Sequence, residues 1–215
     1  MQITSKKQLA ALYDETLERV SASPEAWADF LRFCGQNYKY SFIDLVLLYA
    51  QCPHATAIAT MKQWDKLFGL KIKRASTAIR VFDDTVYKGY AAKYYDISTT
   101  EGPEEKKPHL WQFERKYTDA VFSALDVVYD GTKDLSQNIH HAVFSMVTDA
   151  IGQTEPQLER ALTAGATLAV CHRLNFDCSE LMEVAYPHGY FSVAGMVPLV
   201  GTTITEISEK CLRAI

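Results

Sequence analysis

The sequence lacks the short motifs by which many enzymes are recognised. It has no GxSxG nucleophile turn, no GxGxxG or other glycine-rich phosphate loop, and no HExxH pair of zinc ligands. Two of its six histidines, His140 and His141, are adjacent and would diverge on a helix. We therefore predict a binding domain without catalytic residues, metal or cofactor, and rank a degenerate methyltransferase or peptidase last.

Signals for disulfides and membrane insertion are also missing. The cysteines are odd in number, widely spaced and form no CxxC pair, which predicts reduced thiols: Cys34, Cys52, Cys171, Cys178 and Cys211. The longest apolar run, residues 42–50, is interrupted by Asp44 and is too short to cross a bilayer. A polar stretch rather than an apolar leader follows Met1. These features predict a cytoplasmic protein with no membrane partner.

Positive charge is concentrated in one part of the chain. The formal net charge is -4, yet residues 60–95 hold eight cations and three anions, so this segment carries +5 and the remainder -9. Because electrostatic potential depends on where charges lie, this asymmetry predicts a local basic patch on an acidic protein. The eight cations are Lys62, Lys66, Lys71, Lys73, Arg74, Arg80, Lys88 and Lys93.

Hydrophobic periodicity predicts an α+β fold that is mostly helical. Ser23 before Pro24, and Asp134, are helix-start signals, and Gly69 is a stop signal after a short helix. Apolar and lysine residues alternate from Leu70 to Lys73, and β-prone runs follow at residues 79–82 and 87–97, which together predict a small antiparallel β-sheet between residues 70 and 97. Apolar residues spaced three to four apart predict a helix that begins at Pro24 and ends at Gly35 or Asn37, and further helices over residues 5–20, 42–51, 60–68, 110–129, 135–151, 155–174 and 195–215.

The basic segment also carries aromatic residues, and a site for single-stranded nucleic acid combines cations with aromatic faces worth about 1–3 kcal/mol per stacked base. We predict Tyr40 and Trp64 as stacking residues. Five cations are the predicted phosphate contacts: Lys62, Lys71, Lys73, Arg74 and Arg80. Plainer interpretations stay open, since the lysines could serve solubility alone, Trp64 could anchor its helix in the core, and Tyr40 could hydrogen-bond at a helix start.

The same stretch resembles a known family. The run YSFIDLVLLYAQCPHATAIATMKQWDKLFGLKIKRASTAIRVFDD looks like the N-terminal domain of ArdC-type antirestriction proteins, and most like the version that opens large LtrC-like proteins of conjugative elements. Residues 93–102 resemble the family's second strand, and the tail from Leu162 resembles the helical extension of the large proteins. The matching positions are Tyr40, Ser41, Phe42, Ala50, Gln51, Pro53, Ala55, Thr56, Trp64, Lys73, Arg74 and Ile79.

This resemblance implies a sequence-tolerant domain for single-stranded DNA over residues 1–103, with a helical extension over residues 104–215 packed on it. Three positions depart from the family pattern: Asp44 replaces the usual asparagine, and Ala75 and Ala78 replace glycines at a turn. Because alanine disfavours positive φ, we expect a different or strained turn there.

The last predicted helix runs into Ile215 without a cap or a breaker. We therefore expect a fragment of a longer polypeptide, whose partners include other domains of its parent, such as methylase, helicase or peptidase domains. The alternative function is a docking or scaffold module, with the small residues between Ala161 and Ala166 as its binding surface.

Overall fold

The computed structural model describes residues 5–82, 91–152 and 154–215. Over these residues the fold is α+β and mostly helical, as predicted. The helices are α1 (Lys6–Val20), α2 (Pro24–Gln36), α3 (Phe42–Gln51), α4 (Met61–Phe68), α5 (Thr118–Ala124), α6 (Leu135–Ile151), α7 (Pro156–Arg173), α8 (Met182–Ala185) and α9 (Met196–Ala214). The strands are β1 (Ile58–Thr60), β2 (Lys71–Ile72), β3 (Ile79–Val81), β4 (Ala92–Asp96) and β5 (Thr100–Glu101).

Contacts between residues divide the chain into two compact units. The first unit comprises residues 1–18 and 43–111, and the second comprises residues 19–42 and 112–215. This division differs from the predicted boundary at residue 103, because α2 packs against α7 and so groups with the C-terminal helices. Such long-range pairing leaves no mark on local periodicity.

Several helices begin and end where the sequence predicts. The Ser23 hydroxyl accepts a hydrogen bond from the Ala26 N–H at 3.2 Å, with Pro24 at the first helical position of α2. Thr60 and Asp134 form capping boxes at the starts of α4 and α6. Gly69 ends α4 in the left-handed conformation, with φ of 63°.

The first unit contains the β-structure. Its three-stranded antiparallel sheet has the order β1-β4-β3, and β2 pairs with β5 in a separate two-stranded ladder. Strands β2, β3 and β4 lie within the predicted range of 70–97, whereas β1 and β5 lie outside it. Residues 83–90 of the predicted range, which include Lys88, fall outside the described residues.

One helix prediction is wrong in its length. Only residues 118–124 of the predicted range 110–129 form an α-helix, preceded by a 3₁₀ turn at Arg115–Tyr117. The helix ends because Asp126 adopts a left-handed φ of 56°, and the Val127 N–H then bonds back to the Phe122 carbonyl at 3.1 Å. Aspartate is a much weaker stop signal than glycine, so the sequence did not reveal this end.

The second unit is built around α7. Every residue from Ala161 to Cys171 is buried, and α2, α6, α8 and α9 all pack against this helix. A Cβ added at Gly165 would approach the Ile204 side chain to 2.6 Å, and one added at Gly35 would clash with the Ala169 carbonyl. Small residues at these positions therefore let the helices of the second unit pack closely.

The docking surface predicted for the scaffold alternative is wrong for the same reason. Ala161, Ala164 and Ala166 are 2%, 0% and 0% exposed, because helices of the same unit already cover them. A surface buried in its own core cannot capture a partner without unfolding.

Candidate nucleic-acid interface

A tight turn between β2 and β3 in the first unit carries two of the predicted phosphate contacts, Lys73 and Arg74. The Ser76 N–H donates to the Lys73 carbonyl at 3.2 Å, which closes a β-turn over residues 73–76. Ala75 occupies its third position with φ of 68°, typical of a type II turn, which prefers glycine there. The expectation of strain is confirmed at Ala75, whereas Ala78 does not have a positive φ.

Two hydrogen bonds from Lys73 hold this turn in place. Its backbone N–H donates to the Thr99 carbonyl at 2.9 Å, and its ammonium donates to the Ser98 carbonyl at 2.8 Å. An ammonium has three donors, so two remain for a phosphate. The side chain is exposed. Arg74, next to it in the turn, is exposed as well.

The β3–β4 ladder brings two cations together. Arg80 is directly opposite Lys93 in the antiparallel register, so both point to the same face of the sheet. The neighbours of Arg80 in β3, Ile79 and Val81, point to the other face and are buried. Tyr95 lies two residues after Lys93 and therefore shares the face of the two cations.

Gln51, the last residue of α3, fixes the position of Arg80. Its side-chain amide donates to the Arg80 carbonyl at 2.8 Å, and its amide oxygen accepts from the Arg80 N–H at 3.0 Å. The same amide also donates to the Leu47 carbonyl at 2.8 Å. β3 is an edge strand of the three-stranded sheet, and the Gln51 side chain pairs with its free backbone groups as another strand would. These bonds fix the backbone of Arg80.

These elements surround a groove of about 860 Å³ within the first unit. The turn residues from Ala75 to Ala78 form one side, and Arg80, Lys93 and Tyr95 contribute from the sheet. The end of α3 contributes Gln51 and Cys52, and Asp96 and Thr99 also line the groove. Asp44, the residue that departs from the family pattern on α3, is not among the lining residues.

The carboxylate in the groove is held by backbone donors. Asp96 is 4% exposed and accepts hydrogen bonds from the N–H groups of Thr56 at 3.0 Å, Ala57 at 3.3 Å and Ser98 at 2.9 Å. It therefore joins the start of β1 to the end of β4. These three backbone donors give Asp96 a structural role at the wall of the groove.

Arg74 and the two cations that line the groove, Arg80 and Lys93, differ from Lys71 in their electrostatic surroundings. Among the described residues, no carboxylate lies within ion-pair distance of Arg74, Arg80 or Lys93. Lys71, in contrast, is directly opposite Glu101 in the β2–β5 ladder. An opposite charge at that position reduces the local positive potential, so Lys71 is the weaker candidate for a phosphate contact.

The stacking role predicted for Trp64 is wrong. Its ring is 1% exposed, its indole N–H donates to the Tyr95 carbonyl at 2.9 Å, and its ring centroid lies 5.5 Å from that of Phe68. A base cannot stack on a ring that the protein already covers on both faces. Trp64 instead anchors α4 against the sheet, which is the plainer interpretation left open by the sequence.

The remaining predicted residues lie elsewhere. Lys62 is exposed on α4 and does not line the groove. Tyr40 belongs to the second unit, is half-buried, and is not among the residues that line the groove. Of the predicted set, Arg80 lines the groove, and Lys73 and Arg74 immediately precede the turn residues that line it.

Two groove residues, Lys93 and Tyr95, were missed as site residues by sequence reasoning. Lys93 counted toward the basic segment but had no assigned role, and Tyr95 was treated only as part of a strand. The alternation of Lys93 and Tyr95 placed them on one face of β4, but only the register with β3 puts that face beside Arg80. Pairing register is a long-range property that a single strand does not encode.

Cys52 is the one cysteine among the five that is not buried, and it lines the groove. Partial burial, with a contribution from the nearby Asp96 carboxylate, raises the pKa of the Cys52 thiol above its usual value. The thiol is therefore protonated at neutral pH and reacts slowly with electrophiles. Its position makes it a chemical reporter for occupation of the groove.

Within the described part of the chain, no three histidine, cysteine or acidic side chains cluster as a metal ion would require. Over the same ranges, no helix combines the length and the apolar composition needed to span a bilayer. A scan against protein-family models and searches of curated proteins and of solved structures found no match to this chain.

Proposed function

We propose that this chain binds single-stranded DNA, without strong sequence preference, along the groove of the first unit. The supporting observation is the pair formed by Arg80 and Lys93. Like charges directly opposite one another destabilise a sheet. No described carboxylate pairs with either of them. A bound polyanion would offset this repulsion, and two adjacent phosphates of a nucleic-acid backbone fit the requirement.

The groove favours single strands over duplexes. Tyr95 is half-buried and lines the groove, so only a base that has left its duplex stack reaches the ring. Stacking on such a ring contributes about 1–3 kcal/mol per base and tolerates all four bases. Lys73 and Arg74, from the adjacent turn, would extend the line of phosphate contacts.

The cellular setting belongs to the same proposal. The resemblance to the N-terminal domain of ArdC-type and LtrC-like proteins implies a cytoplasmic, non-catalytic segment of a conjugation or antirestriction protein. Its partners would then be single-stranded DNA and other domains of the parent protein. The five reduced cysteines are in keeping with a reducing compartment.

The proposal is tested by fluorescence anisotropy with labelled oligonucleotides at several salt concentrations. Removing the charges with Arg80→Gln and Lys93→Gln together should weaken binding and reduce the salt-dependence slope by about 1.4, or about 0.7 for each phosphate that is no longer neutralised. The melting temperature should stay the same or rise, because the variant also removes the repulsion between the two cations.

A matched control removes the same net charge from the second unit. Lys116→Gln with Lys210→Gln changes two exposed lysines outside the groove, and it should leave the affinity and the slope at the wild-type values. Unlabelled single-stranded competitor should displace the probe more effectively than duplex. No binding in the micromolar range at low salt, or equal weakening in both variants, would refute the proposal.

A further inference from the structure

The side chain of Gln51 lines the groove, yet both of its hydrogen-bond donors are engaged within the protein. The amide nitrogen has two donors, and they go to the carbonyls of Arg80 and Leu47, each at 2.8 Å. The amide oxygen accepts from the Arg80 N–H at 3.0 Å. Gln51 therefore has no donor left for a bound phosphate, and any part it plays in binding must act through Arg80.

The same bonds define how Arg80 pairs with Lys93 on the neighbouring strand. In an antiparallel ladder, the N–H and C=O of one residue point to the same side of its strand. Both groups of Arg80 point to Gln51, and therefore away from β4. Arg80 and Lys93 are consequently a non-hydrogen-bonded pair, in which the Cα atoms lie about 4.5 Å apart and the side chains are closer than in a hydrogen-bonded pair.

We propose that Gln51 is a positioning residue for phosphate binding by Arg80, an inference that rests on the proposed DNA-binding function. Two cations this close repel each other, and β3 is an edge strand with no further strand to hold Arg80 from outside. The amide of Gln51 supplies both missing backbone bonds and keeps the two cations side by side before DNA arrives. A cation whose backbone is already fixed loses less freedom on binding, which raises the affinity.

The position requires an amide rather than a side chain of similar length. It presents one N–H donor and two carbonyl acceptors, so the side chain must combine an acceptor with two donors, as glutamine does. Methionine is similar in length but has no donor and only a weak acceptor. Gln51→Met therefore removes the bonds to Arg80 and leaves the charge of the groove unchanged.

A double-mutant cycle with Arg80→Gln tests the proposal by fluorescence anisotropy on the full chain. Gln51→Met should weaken binding of a labelled single-stranded oligonucleotide by about 2- to 12-fold, the cost of ordering one side chain on binding. The salt-dependence slope should stay at the wild-type value, because no charge is lost. Arg80→Gln lacks the guanidinium but keeps the backbone bonds, so adding Gln51→Met to it should have no further effect.

Gln157→Met is the matched control, since Gln157 is exposed on α7 in the second unit, and it should bind as the wild type does. If Gln51→Met does not fold, Gln51→Asn takes its place in the cycle, because it withdraws the amide by one methylene. Equal weakening in both backgrounds, or wild-type affinity of the Gln51 variant, would overturn the proposal. Wild-type protein that binds no oligonucleotide would instead refute the DNA-binding function itself, and this inference with it.

Discussion

Ala75 stores backbone strain beside the proposed binding groove, and replacing it should make the protein more stable. It has a φ of 68° in the turn over residues 73–76, where Ser76 bonds back to Lys73 at 3.2 Å. An L-residue in this conformation places its Cβ too close to a carbonyl oxygen. Glycine has no Cβ, so Ala75→Gly keeps the turn and removes the repulsion.

The size of the effect follows from two opposing terms. The left-handed conformation costs an alanine about 1–2 kcal/mol. Glycine avoids that cost, but its greater freedom in the unfolded chain offsets about 0.4–1 kcal/mol of the gain. Ala75→Gly should therefore raise the free energy of unfolding by about 0.5–1 kcal/mol. With a urea m-value of about 2 kcal/mol/M, the transition midpoint should rise by about 0.25–0.5 M.

Urea unfolding followed by circular dichroism measures this change, and Ala78→Gly is the matched control. Ala78 belongs to the same connection between β2 and β3 but lacks a positive φ, so glycine there should lower the stability by about 0.4–1 kcal/mol. Opposite signs at the two alanines are the expected result. A lower midpoint for Ala75→Gly would refute the strain argument.

Three further predictions concern single residues. Trp64→Ala should lower the stability by about 3–5 kcal/mol in thermal melting, since the ring is a core anchor; an unchanged melting temperature would restore its role as a stacking residue. Alkylation of Cys52 should be slower than that of free cysteine at neutral pH and should accelerate as the pH rises. Bound oligonucleotide should block it. Fast alkylation at the same rate with and without DNA would count against the groove as the binding site. Gly35→Ala should lower the free energy of unfolding by about 3 kcal/mol, because the new Cβ would clash with the Ala169 carbonyl. Gly131→Ala, where the Cβ has room, should leave it nearly unchanged. Equal effects of the two variants would contradict the close helix packing.

Helices of the protein were predictable wherever a local signal marks their ends. Ser23 with Pro24, Asp134 and Gly69 act within one helical turn of the residues they cap, so the sequence alone reveals them. The overlong prediction for α5 shows the limit of this method. Its end depends on Asp126 adopting a left-handed conformation, and apolar spacing continued past that point.

The candidate site was predictable in composition but not in arrangement. A count of charges identified the basic segment, and Arg80 does line the groove, whereas Lys73 and Arg74 precede the turn residues that line it. The count could not distinguish Lys71, which faces Glu101, from Arg80, which faces Lys93. That distinction depends on which strands pair and in which register.

The amino-acid sequence by itself determined the helix caps, the apolar helix faces and the concentration of cations, since each follows from residues within a few positions of one another. Tertiary structure alone decided that Trp64 is buried, that Ala161 to Ala166 form a core, and that Lys93 and Tyr95 join Arg80. The physical reason is the distance along the sequence between the residues that interact. Burial and strand register arise from contacts between distant segments, and no local pattern specifies which distant segment will cover or adjoin a given side chain.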